Sequence, residues 1–262
     1  MRKLGIALKH PALSAEEQVQ LMKAHGFEAT FLPFNRTDFD CVMPLLTQNG
    51  IVCESIHAPW DDIDAIWMDG ADGDAQLAML CDRLESCARH GIPTMVMHPT
   101  SVKRKPAISD VGNARFDRLV ETADRLGVKI ACENIKSVGH LVYLLERYPQ
   151  MRFCWDVGHE GCFSRGIEFM PFLGDRIGAL HLHDNFGVAD DDRHLLPFDG
   201  ALDMERAARQ LAKSGYGGSI MLEFASTENF YAHLNANEFY ARAAALARKF
   251  ADRVDLYSEG KK

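Results

Sequence analysis

MRFCWDVGH, residues 151–159, runs a short apolar segment into a carboxylate, Asp156, followed three positions on by an imidazole, His159. A segment of that length and composition reads as a buried strand. A charged group at its end then belongs to the rim of a sheet rather than to its core. The same arrangement recurs in IVCESIH (51–57), PTMVMH (93–98), VKIACE (128–133), IGALHLH (177–183) and GSIMLEF (218–224). KLGIAL (3–8) and FEATFL (27–32) precede them as further strand-like runs. Amphipathic helical patterns separate the runs, among them residues 14–26, 74–91, 110–127, 137–149, 204–216 and 235–252. Ser14 with Glu17 forms a capping box, and Gly26, Gly50, Gly91 and Gly127 stand where helices end. Alternating strand and helix implies parallel strands with right-handed crossovers. Eight such units in 262 residues predict an α/β fold, a (β/α)₈ TIM barrel forming a single domain over 1–262.

Bulk properties narrow the function classes. Hydrophobic residues make up 47% and charged residues 25%, as in a globular protein with a sizeable core. A formal charge of −8 disfavours nucleic acid and anionic membranes as partners. No apolar run approaches a membrane span and the start carries no secretory pattern, so a cytoplasmic protein is expected. The seven cysteines include no C-x-x-C pair and are expected as reduced thiols. GIALKHPALS lacks a glycine-rich fingerprint, so no nucleotide cofactor is expected. A homo-oligomer is compatible with all of this.

In a (β/α)₈ barrel the functional groups sit at the C-terminal ends of the strands. Those ends carry His57, His98, Glu133, Asp156, His181 and Glu223. Side chains alternate along a strand, so Glu133 shares the inner face with Ala131, Asp156 with Cys154, His181 with Ala179 and Glu223 with Met221. Their apolar neighbours turn toward the helices. Glu54 breaks the pattern, because the same parity turns it outward with Ile56. Carboxylates converging on one mouth repel unless a cation joins them. Glu133, Asp156, His181 and Glu223 would suit Mn²⁺, Zn²⁺, Mg²⁺, Co²⁺ or Fe²⁺. His57, His98, His159, Asp192 and His194 could complete further metal positions or hold substrate oxygens.

The motifs SIHAPW, VMHPTS, ACENIKS, CWDVGH, ALHLHDN, DDRHLLPFDG and IMLEF resemble, in order, those of the xylose isomerase-like barrels. That family includes sugar isomerases and epimerases and the apurinic-site endonucleases. The resemblance implies one divalent metal on Glu133, Asp156, His181 and Glu223, with His159 contacting a small carbohydrate substrate. It also implies that Glu133 and Glu223 are the catalytic acid/base pair, passing a proton beside a carbonyl through a metal-stabilised enediolate. The substrate would be a small sugar, sugar phosphate or cyclic polyol. The endonuclease members imply the alternative, a multinuclear zinc or manganese phosphoesterase using His57, His98, His159, Asp192 and His194 as well. WDDIDAIWMDGADGD (60–74) reads as a lid whose Trp60 and Trp67 would cover an apolar sugar face, and SVKRKP (101–106) as a basic loop.

Overall fold

The computed structural model describes residues 1–33, 38–103, 105–224 and 230–259. Eight strands form one sheet: β1 (Leu4–Ile6), β2 (Ala29–Pro33), β3 (Val52–His57), β4 (Thr94–Met97), β5 (Lys129–Glu133), β6 (Arg152–Asp156), β7 (Ile177–His181) and β8 (Ile220–Leu222). All pairings are parallel, in the order β7-β6-β5-β4-β3-β2-β1-β8. The ends of that sheet meet just beyond the strands, where Leu182 N donates to Met221 O (2.8 Å) and Glu223 N to Leu182 O (3.1 Å). The sheet is therefore a nearly closed single-domain (β/α)₈ barrel, as the alternation predicts.

Between the strands lie α1 (Ala15–Ala24), α2 (Phe39–Gln48), α3 (Ala71–His90), α4 (Asp110–Leu126), α5 (Val138–Arg147), α6 (Val157–Cys162), α7 (Met170–Leu173) and α8 (Met204–Ser214); α9 (Ala236–Glu259) follows β8. The Ser14–Glu17 box caps α1 reciprocally, through Glu17 N to Ser14 Oγ (3.2 Å) and Ser14 N to Glu17 Oε2 (2.8 Å). Gly91 and Gly127 end α3 and α4 at φ of 69° and 70°, a region that side chains with a Cβ avoid. The β6–β7 crossover differs from the others, being built from the two short helices α6 and α7.

Two separate cores follow from the alternation of side chains. The larger lies between sheet and helices and takes Ile130, Cys132, Phe153, Trp155, Leu180, Leu182, Leu222 and Phe224. The smaller fills the barrel interior with Val96, Ala131, Cys154 and Ala179. Each of these four stands two residues before His98, Glu133, Asp156 or His181, directly beneath the mouth. Small side chains there leave room for rings and carboxylates above them.

Glu54 corrects the parity argument. Thr30 pairs with Cys53 and Phe31 with Ser55, so β3 carries one extra residue, a bulge at Glu54. Its carboxylate turns inward and accepts from Ser219 Oγ (2.5 Å) and Ser219 N (3.4 Å), beside β8 and three strands away in the sheet order. Trp67 is a second correction. It is 2% exposed, donates Nε1–H to Pro99 O (2.8 Å) and packs on Phe116, so it belongs to the core and not to a lid. All seven cysteines are free thiols. Among the described residues no helix is long and apolar enough to cross a membrane.

Candidate metal centre

His57, Glu133, Asp156 and His181 are the last residues of β3, β5, β6 and β7; His98 and Glu223 each stand one residue beyond β4 and β8. The strands thus deliver these side chains to one mouth, where all are buried and Glu133 and Asp156 are fully so. Glu133 is the hub. Its Oε2 accepts from His57 Nε2 (2.9 Å) and lies 3.2 Å from His98 Nε2. Its Oε1 accepts from His181 Nδ1 (3.1 Å) and lies 3.4 Å from His159 Nδ1.

Asp156 has a double role. One oxygen accepts from His159 N (2.6 Å) and caps α6, which swings the His159 ring back toward Glu133. His183 Nε2 reaches the same carboxylate at 2.9 and 3.1 Å. The Asn134 amide locks the strand ends by donating to Asp156 O and accepting from Asp156 N, both at 2.8 Å. Gly158 must be glycine here, since a Cβ would fall 1.8 Å from the His183 ring.

Asp192 and His194 arrive on the loop after β7. The buried Asp184 carboxylate organises that loop by accepting from the backbone N–H groups of Asn185, Phe198, Gly200 and Leu202 at 2.8–3.1 Å. His194 is held at φ 47°, which costs a residue with a Cβ about 1–2 kcal/mol. Its ring stacks on His183 at 3.9 Å and its Nε2 lies 2.8 Å from Asp192 Oδ2. The same oxygen meets His159 Nε2 at 3.2 Å.

The donor atoms fall into overlapping groups: Glu133, Asp156, His181 and Glu223; His57, His98 and Glu133; Glu133, Cys154 and His181; and His159, His183, Asp192 and His194. Within each group the atoms lie within 4.8 Å of one another. His98 Nδ1, His181 Nε2, His183 Nδ1, His194 Nδ1, Asp192 Oδ1 and Glu223 Oε2 are buried with no hydrogen-bond partner. Buried polar atoms without partners are costly, and nitrogens and oxygens so placed fit a borderline divalent cation such as zinc, manganese, cobalt or iron.

Charge is distributed accordingly. Burial pushes the Glu133 carboxyl up, but the charge of His181 and hydrogen bonds from His159, His181 and His57 outweigh it and hold the group well below the usual carboxylate range. For Glu223 burial is outweighed by Lys9 and His181, and for Asp192 by His194 and His159. Burial opposes charge on His159, yet Asp156, Asp192 and Glu133 raise it well above the ordinary imidazole value. His181 is raised likewise, against burial, by Cys154, Glu223 and Glu133. His98 and His194 go the other way, because burial dominates.

All nine of the sequence-derived metal candidates meet at this mouth, and Trp60 stands beside it, 44% exposed with its ring 5.1 Å from His57. The basic loop begins at Ser101, whose N and Oγ both donate to Asp64 at 2.6 Å, and Arg104 lies outside the described residues. Sequence reasoning missed Lys9, whose Nζ donates to Glu223 Oε1 at 2.7 Å. His183 and Asn134 stand inside the motifs ALHLHDN and ACENIKS without a role assigned from the sequence.

The profile of the family described as Xylose isomerase-like TIM barrel matches residues 13–250. Uncharacterized protein y4fM of Sinorhizobium fredii is 30% identical over 192 residues, 67% of this chain and 60% of that protein. Uncharacterized protein MJ1311 of Methanocaldococcus jannaschii is 24% identical over 184 residues, 64% of this chain and 63% of that protein. The match thus spans less than two thirds of the length of either curated relative. Among solved structures, an IOLI protein with a binding zinc atom superposes with a TM-score of 0.75 at 19% identity, covering 97% of this chain and 99% of that one. An L-ribulose 3-epimerase superposes at 0.78 with 15% identity, covering 100% and 97%.

Proposed function

The chain belongs to the xylose isomerase-like TIM barrel family, and from that membership we propose that it is a divalent-metal-dependent isomerase or epimerase of a small sugar, sugar phosphate or cyclic polyol. The observation that carries this reading is the four-donor group of Glu133, Asp156, His181 and Glu223 at the barrel mouth. Two carboxylates there differ in surroundings. Glu133 is enclosed by four imidazoles. Glu223 has one oxygen tied to Lys9, while Oε2 has no hydrogen bond but stands 2.9 Å from His181 Nδ1. Glu223 is the base that takes a proton from a carbon beside a substrate carbonyl. Glu133 receives a proton from His159, whose Nδ1 lies 3.4 Å from Oε1, and delivers it to the opposite face or to the neighbouring carbon, while the proton on Glu223 passes to solvent, from which His159 is recharged. A divalent cation, when bound, polarises the carbonyl and stabilises negative charge on the adjacent oxygens. His159 and the exposed face of Trp60 orient the sugar. The neighbouring structures that are epimerases support this chemistry, as does the zinc bound by the IOLI protein.

A second reading is favoured by the His57–His98–Glu133 and His159–His183–Asp192–His194 groups. Filled together with the first, they would make a trinuclear centre suited to phosphodiester cleavage. Metal content per chain and turnover of ketose and cyclic ketone substrates separate the two. One metal with exchange of a substrate C–H proton into solvent supports the isomerase. Three metals with phosphodiester cleavage and no such exchange overturn it.

A further inference from the structure

Lys9 is the cation that the proposed chemistry does not use. The backbone continues past β1 along the sheet, with Ala7 N donating to Leu222 O (2.9 Å) and Leu8 N to Phe31 O (3.1 Å), and this carries Lys9 to the mouth. Its side chain is only 16% exposed, and its Nζ lies 2.7 Å from Glu223 Oε1 and 5.9 Å from the Phe31 ring centroid. An ammonium has three N–H donors. One serves Glu223, and the other two have no hydrogen-bond acceptor among the described residues.

The Lys9 side chain is mostly buried, and donors without acceptors among the described residues are costly there. It also stands against a carboxylate of the four-donor group, where it repels any cation held there. Neutralising Glu223 does not explain it, because a cation in the group would do that unaided. Both costs are offset if a negatively charged oxygen of the ligand completes the ammonium's shell, since charge-assisted hydrogen bonds are roughly twice as strong as neutral ones.

We propose that Lys9 is a specificity-determining residue that binds an oxyanion substituent, phosphate or carboxylate, of the small molecule entering the mouth. Resting on the isomerase reading, this narrows its substrates to anionic sugars or polyols. Glu223 then stands beside the anionic end of the ligand, and Lys9 links the binding of that end to the base.

The test uses the protein as purified, with metal content measured on the same sample, and titrates fructose, fructose 6-phosphate, glucuronate and inorganic phosphate calorimetrically. Wild type should bind fructose 6-phosphate or glucuronate more tightly than fructose by about 10–100-fold, the worth of one charge-assisted contact. The better of the two identifies phosphate or carboxylate as the group. Lys9→Met should abolish the preference and Lys9→Arg should keep it, with unchanged thermal unfolding in Lys9→Arg showing an intact fold. A wild type that does not distinguish anionic from neutral ligands, or a Lys9→Met that distinguishes them as well as wild type, overturns the proposal. Since binding is read without turnover, the inference survives if no isomerisation is found, and fails independently of it.

Discussion

Two buried clusters of charge in this molecule are built on opposite plans. Arg115, 5% exposed, lies under the segment joining β3 to α3. Its Nη1 donates to the carbonyls of Ala65 (3.4 Å), Ile66 (3.1 Å) and Met68 (2.6 Å), its Nη2 to Gly70 O (3.0 Å), and its Nε to Asp74 Oδ1 (3.1 Å). Each of its nitrogens has a partner from its own chain. At the barrel mouth, by contrast, four imidazoles and two carboxylates each keep a buried atom with no hydrogen bond. A cluster that satisfies itself holds the fold together. One that does not is shaped around something that arrives later.

The contrast breaks most sharply at Glu133, which belongs to three of the four donor groups. Glu133→Ala should lower metal affinity by more than about 100-fold, beyond the range for outer partners of a metal site, as read by metal content after dialysis. Full retention of metal would place the centre elsewhere. Arg115→Met should do the reverse. Its carbonyl partners lose a buried charged donor, at a cost of about 3–5 kcal/mol and a melting temperature lower by roughly 10 °C, while metal content per folded chain stays unchanged. His183→Asn tests a member of the mouth that holds the Asp156 carboxylate through Nε2, and a loss of about 10–100-fold in metal affinity is expected with little change in folding. An unchanged affinity would make His183 packing only.

The smallest effect is a proton count. Without metal, the neighbouring carboxylates raise His159 and His181 above the ordinary imidazole value and so favour their protonated forms. A metal ligated by His181 must displace its proton, and calorimetry in buffers of different ionisation enthalpy should show release of about one proton per metal. The sign for stability follows the same shifts. Their contribution to the metal-free fold is fully present below the ordinary imidazole value and is lost as pH rises through the raised ones. Zero proton release at pH 7 would contradict this charge distribution.

Much of the site was legible because two periodicities coincide in it. Strand alternation placed Ala131 under Glu133, Cys154 under Asp156 and Ala179 under His181. What escaped did so where periodicity is broken. The bulge at Glu54 adds a residue to β3 that no parity argument can register. Lys9 stands three residues past the end of β1, outside any alternating run. The helix α6 has the sequence VGHEGC, poor in helix formers, because its glycines serve close packing instead. A Cβ at Gly161 would meet Leu202 at 2.5 Å, as one at Gly158 would meet His183. That helix is held by the Asp156 cap rather than by its own propensity. Trp67 reads with Trp60 as an apolar cover for a sugar face, whereas the Arg115 knot fixes the local chain and turns the ring into the core.

Anomalous diffraction from crystals grown with excess zinc, collected on both sides of the zinc edge, tests the central claim most directly. A peak within coordination distance of Glu133, Asp156, His181 and Glu223 is the predicted result. Full-length side chains around that position with no anomalous signal would contradict it.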